Sequence, residues 1–181
     1  MRRWWSALAI VALLAACGDD GGERTEDVPE ADVSVELTSP AFGEGETIPV
    51  VHTCDGEDVS PPLAWGGLPE GTAELSLIVE DPDAPGGTFV HWVVWGIPTT
   101  VTGLEEGSVP AQASQGENSF GSTAWDGPCP PEGDEPHRYV FRLLATSETV
   151  FLDEGASADD LLRAIDEMVL AEGELVGRYG R

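Results

Sequence analysis

Residues 89–97 (FVHWVVWGI) carry a single ionisable side chain, His91, in an otherwise apolar run. A strand of that character is buried on both faces, so it requires a sheet with cover above and below. Residues 75–80 (LSLIVE) are β-branched and apolar, and residues 139–145 alternate Tyr139, Phe141, Leu143 and Ala145 against Val140, Arg142 and Leu144. The chain's 22 Gly and 14 Pro place turn signals between such runs, and no regular strand–helix alternation appears. The pattern predicts a mainly β chain, a Greek-key antiparallel sheet or sandwich. One helix is legible near the end. Ser157 can cap it, Asp159 and Asp160 suit its first turn, Leu161, Leu162, Ile165, Met168 and Val169 recur at helical spacing, and Gly173 is placed to stop it.

The first residues follow different rules. Arg2 and Arg3 give a positive start, residues 4–16 carry no charge, and Cys17 is followed by Gly18, Asp19 and Asp20. This reads as a secretory signal over residues 1–16, its apolar run shorter than the ~20 residues a bilayer-spanning helix needs. Leu14-Ala15-Ala16-Cys17 resembles the bacterial lipobox, which implies lipidation of Cys17 (palmitate among the acyl groups) and cleavage before it. Residues 17–35 are polar and aperiodic, as expected of a disordered tether, and residues 36–181 suit one domain. The expected location is outside the cytoplasm, on the cell membrane or the outer membrane.

Charge narrows the partners. Cleavage before Cys17 removes two of the eight basic residues, all Arg, and none of the 34 acidic ones, taking the net charge from −26 to −28. A nucleic-acid interface needs clustered Lys or Arg, so that class is excluded.

Two segments are polar beside apolar strands. Residues 81–85 (DPDAP) run on to His91 and Trp92, and residues 127–131 (GPCPP) run on to His137, Arg138 and Tyr139. Proline fixes φ and removes an N–H, so such turns hold neighbouring groups in a set shape. A carboxylate such as Asp81 can fix a histidine tautomer, while imidazole N–H groups and the Tyr139 hydroxyl supply donors. Each residue also has a plainer reading: a strand His satisfied within the core, or an Asp bonding the amides of its own turn.

With SPAF (39–42), TCDGEDVSPPLAW (53–65), DPDAPGGTFVHW (81–92), GPCPPEGDEPHRYVF (127–141) and ELVGRYGR (174–181) in order, the chain resembles the phosphatidylethanolamine-binding protein family, in its bacterial Raf-kinase-inhibitor-like branch. The resemblance implies a central antiparallel sheet, a smaller second sheet, peripheral helices including one near the C-terminus, and a shallow anion-accepting cavity. Carried over by motif, the cavity residues are Asp81, His91, Pro131, His137 and Tyr139, with Asp83 and Pro85 shaping the first turn and Arg138 supporting the outside. Cys54 and Cys129 lie in matched turns in an oxidising compartment and are expected to pair, two separate buried thiols being the alternative.

The function expected is a lipid-anchored binding protein for a small phosphorylated or zwitterionic ligand, without cofactor. A protein-interaction module inhibiting a protease or kinase is the second reading. An enzyme is the third: Asp81, His91 and His137 lack the usual metal-site spacings, and Ser119 and Ser122 lack a nucleophile-elbow pattern.

Overall fold

The computed structural model describes residues 34–181. The expected signal peptide, Cys17 and most of the expected tether lie outside the described residues. Within them run β1 (Glu36–Thr38), a 3-10 turn (Val50–His52), β2 (Leu63–Gly66), β3 (Glu74–Asp81), β4 (Phe89–Pro98), β5 (Gly103–Leu104), β6 (Ser114–Gln115), β7 (His137–Thr146), α1 (Ala158–Ile165) and β8 (Val169–Tyr179).

The strands form two antiparallel sheets, β1-β2-β5 and β6-β4-β3-β7-β8. In the larger one β3, β4 and β6 follow one another across the sheet and β7 returns beside β3, which is the expected Greek key. Alternation along the strands feeds two cores. Leu75, Leu77 and Val79 of β3 join Tyr139, Phe141 and Leu143 of β7 and meet Leu37, Leu63, Trp65 and Leu104 of the smaller sheet. On the opposite face Ile78, Val93, Trp95 and Leu144 pack against Ala158, Leu161 and Ile165 of α1. Both faces of β4 are therefore covered, as its composition demanded.

Strand β4 does not alternate simply. Opposite β3, Val79 pairs with Trp92 and Glu80 with Val90, leaving His91 as an extra residue. This β-bulge turns His91 to the same side as Trp92, where strict alternation would put them on opposite faces. A second irregularity, between Leu75 and Leu77, sits opposite Gly96, whose φ of 71° favours glycine.

The helix begins as its sequence indicates. The Ser157 side chain accepts from the Asp160 amide, and the Asp160 side chain accepts in return from the Ser157 amide, closing a capping box. It is shorter than expected, however. It ends at Ile165, and Met168, Val169 and Gly173 belong to the turn and strand that follow. Gly173 lies opposite Leu143 inside β8, not at a helix end. The apolar periodicity ran on because β8 begins only four positions after the last helical residue, with Met168 in the turn before it and Val169 as its exposed first residue. Among the described residues α1 is the one α-helix, against the several implied.

Candidate functional site

The larger sheet delivers one end of β3, β4 and β7 to the same place. Asp81 is the last residue of β3 and shares a face with Leu75, Leu77 and Val79, so its carboxylate enters the inter-sheet side of the sheet at its margin. It is buried, and both oxygens are engaged: Oδ1 accepts from the Asp83 amide at 2.8 Å, and Oδ2 accepts from His137 Nδ1 at 2.8 Å. The turn-bonding role and the histidine-orienting role thus coexist. With the Nδ1 proton given to Asp81, His137 Nε2 carries a lone pair when the ring is neutral and becomes a donor when it is charged. Asp134 approaches that nitrogen at 3.9 Å from the exposed side.

Next to this pair, His91 donates from Nδ1 to the Asp126 carbonyl at 2.7 Å. Its ring meets Phe89, Phe120 and Tyr139 at centroid distances of 5.4, 5.6 and 5.2 Å. Burial among these rings pushes His91 below its ordinary value of 6.5, with the Asp126 carbonyl and the charge of Asp81 opposing the shift. Tyr139 is fully buried, and its hydroxyl has no hydrogen-bond partner among the described residues, although the Cys129 backbone approaches it. Burial, reinforced by the charge of Asp81, raises that phenol above its usual range and keeps it protonated.

Asp81, His91, Pro131, His137 and Tyr139 surround one cavity of about 200 Å³, together with Ala84, Pro85, Phe89, Phe120, Cys129 and Pro130. Arg138 points the other way, as β7 alternation dictates. Its backbone amide and guanidinium both donate to Asp83, with Nη2 2.7 Å from Oδ1, and this bond holds Asp83 down to about 2. A wider groove of about 620 Å³ elsewhere is lined by Glu74, Trp95 and Phe151. Its buried carboxylate, Glu74, already accepts from the Val150 amide.

The second wall of the cavity is a clamp between two loops. Cys54 and Cys129 form a disulfide with Cα atoms 5.5 Å apart, the Cys54 amide donates to Pro128, and the Gly127 amide donates to Asp58 Oδ1 at 2.8 Å. A side chain at Gly127 would press into the His52 carbonyl and the Asp58 carboxylate, so the loops can approach this closely only with glycine there.

Several contributors were not singled out from sequence. Asn118 is buried and donates to the His91 carbonyl and to Asp126 Oδ2, while its own Oδ1 accepts from the Phe120 and Ser122 amides. It thereby fixes the loop that carries both Phe120 and the Asp126 carbonyl. The Asn-Ser-Phe-Gly stretch at 118–121 was the available signal, a turn sequence with an aromatic residue in it. Ser119 and Ser122 serve this loop as acceptors for the Val90 and Ala124 amides. Among the described residues no three His, Cys, Asp or Glu side chains are grouped to hold a metal ion.

Residues 38–180 match the model of a family described as phosphatidylethanolamine-binding protein. The chain belongs to that family. Among its relatives, a UPF0098 protein of Methanothermobacter thermautotrophicus is 45% identical over 81% of this chain and 99% of its own length. LppC, a candidate lipoprotein of Mycobacterium tuberculosis, is 38% identical over 96% of this chain and 93% of its own. Two crystal structures share the fold. CT736 of Chlamydia trachomatis, a phosphatidylethanolamine-binding protein homologue, has a TM-score of 0.78 at 38% identity, covering 82% of this chain and 99% of that one. YbcL of Escherichia coli has a TM-score of 0.78 at 34% identity with the same coverage.

Proposed function

We propose that this chain is an extracytoplasmic, lipid-anchored binding protein, not an enzyme, whose cavity takes a small phosphorylated or zwitterionic group. The observation that carries the reading is the conjunction, in one cavity, of an Asp81–His137 pair and the unpartnered hydroxyl of the buried Tyr139. An unsatisfied buried hydroxyl costs ~1–3 kcal/mol, which a ligand oxygen in hydrogen-bond reach would recover.

Size and charge refine the ligand. About 200 Å³ is below the ~300–1,000 Å³ of sites that enclose drug-sized molecules, which suits a headgroup and not a whole lipid. Arg138 is committed to Asp83 and His91 is held neutral by burial, so the cavity carries a carboxylate without a matching free guanidinium on its wall. A ligand bringing both a phosphate and an ammonium fits that balance better than phosphate alone, the ammonium being drawn to Asp81 and to the rings of Phe89 and Phe120.

Titration calorimetry with inorganic phosphate, sulfate and phosphoethanolamine tests the site. Phosphoethanolamine is expected to bind most tightly, and equal affinity for the wild type and a His91→Ala/His137→Ala variant overturns the reading. The anchor is tested separately. Cys17→Ser is expected to move the protein from the membrane to the soluble extracytoplasmic fraction, and a wild type already there without lipid overturns that part. The resemblance to LppC over nearly the whole chain supports the anchor.

A further inference from the structure

The Cys54–Cys129 bridge sits where a buried structural disulfide would not. Both cysteines are exposed, and Cys129 also lines the cavity. The guanidinium of Arg181 lies against the pair, its Nη1 3.1 Å from Cys129 Sγ and 3.7 Å from Cys54 Sγ. Two carboxylates hold it there, Asp55 at 3.3 Å from Nε and Glu132 at 3.3 Å from Nη2. They take up part of its charge but through the other two nitrogens, so Nη1 stays directed at sulfur. A neutral disulfide gains little from a neighbouring cation, whereas a thiolate gains much, and a sulfur whose thiolate is stabilised is the better leaving group.

From this arrangement we propose that Cys54–Cys129 is a thiol–disulfide exchange site for low-molecular-weight thiols, with Cys54 the sulfur attacked and Cys129 the one released. The incoming thiolate forms a bond to Cys54 Sγ as the Cys54–Cys129 bond breaks. The bonding pair leaves on Cys129 Sγ, which becomes a thiolate facing Arg181. No net oxidation accompanies this step: the products are a mixed disulfide at Cys54 and a free thiolate at Cys129. Attack of a second small thiolate on the mixed disulfide would complete a two-electron reduction of the pair, with the small thiol oxidised to its own disulfide. Return of Cys129 to Cys54 expels the small thiol and restores the bridge.

Opening reaches the cavity because the same loop carries its wall. Pro130 and Pro131 follow Cys129 directly, and the Asp126 carbonyl that orients His91 lies three residues before it. With the bridge open, the loop keeps the Gly127–Asp58 and Cys54–Pro128 hydrogen bonds and loses its covalent tie. None of this depends on which ligand the cavity takes.

The test uses the full chain carrying Cys17→Ser, so that only this pair can react, with glutathione as the probe in native buffer. Mass spectrometry after alkylation is expected to find glutathione on Cys54 and the alkyl group on Cys129. Arg181→Ala is expected to slow adduct formation about tenfold, while Arg181→Lys, which keeps a positive charge, retains most of the rate. The His91 Nδ1–H resonance is expected to shift on opening while far-ultraviolet circular dichroism stays that of the folded sheet. An adduct that forms only in denaturant, one that forms on Cys129, or an Arg181→Ala rate equal to wild type overturns the exchange site. An unmoved His91 resonance overturns its coupling to the cavity.

Discussion

Asp81 and His137, 56 residues apart in sequence, meet at 2.8 Å with both side chains buried. The bond ties the end of β3 to the start of β7 and sets which nitrogen of His137 is left over. Asp81→Asn keeps an oxygen for one of the two donors but removes the charge, and its new amide protons then face the Asp83 amide or His137. The expected cost is ~1–3 kcal/mol of stability, with weaker phosphoethanolamine binding, read by urea denaturation and calorimetry. His137→Ala is expected to weaken binding by a similar amount, and the double variant by less than the sum, since the two residues act together. Additive losses would show that the pair is not a unit.

Burial of His91 makes folding sensitive to mild acid. Its folded value lies below the reference 6.5, so between those two values the unfolded chain binds more protons than the folded one. The His91 contribution is fully present above pH 6.5 and is lost as pH falls from there through the lower, folded value. His91→Phe removes this dependence. Denaturation midpoints of wild type and variant, compared from pH 7.5 to 5, are expected to show wild type losing stability relative to the variant as pH falls. A constant gap would mean that His91 does not titrate as its burial requires.

The disulfide closes a separation of 75 residues, which in the chain-entropy model constrains the unfolded state by about 4 kcal/mol. Cys54→Ser/Cys129→Ser is expected to lose up to that amount while keeping the sheet, because the loops are also joined through Gly127 and Pro128. Thermal unfolding of variant and wild type measures the loss, and circular dichroism shows whether the sheet survives.

Gly127→Ala probes the same clamp from inside. The added carbon meets the His52 carbonyl and the Asp58 carboxylate, both held by their own segments, so relief requires the two loops to part. A loss of about 1–3 kcal/mol is expected, accompanied by weaker ligand binding, since the loop carries the His91 anchor. Gly86→Ala, where nothing lies within 4 Å of the new carbon, is the matched control and is expected to leave stability nearly unchanged.

What the sequence disclosed divides along physical lines. Strands were legible where side chains alternate against a core, as at Tyr139, Phe141 and Leu143. The cap at Ser157 was legible because it precedes two acidic residues and a helical apolar rhythm, whereas the reciprocal bond from Asp160 came only with the structure. That Asp81, His91, His137 and Tyr139 would come near one another was implied by the matched motifs, and the cysteine pair by their turns, but which histidine Asp81 holds was not. The loop contacts were hidden. Asn118 acts through backbone carbonyls and amides that any sequence provides, and Phe120 becomes part of the cavity only because that loop folds beside β4. The end of α1 was also hidden, since Met168 and Val169 continue a helical rhythm that the β7–β8 pairing overrides.

The unpaired position of His91 in β4 makes the site depend on counting as well as on chemistry. Removing one residue from 90–92 would not merely shorten the strand: it would restore strict alternation and either delete His91 or Trp92 outright or, with Val90 removed, turn His91 through to the helix side, breaking the cavity or the core. The one extra residue of β4 is thus as much a part of the site as the imidazole it carries, because the two strands fall into regular step only by giving up that placement.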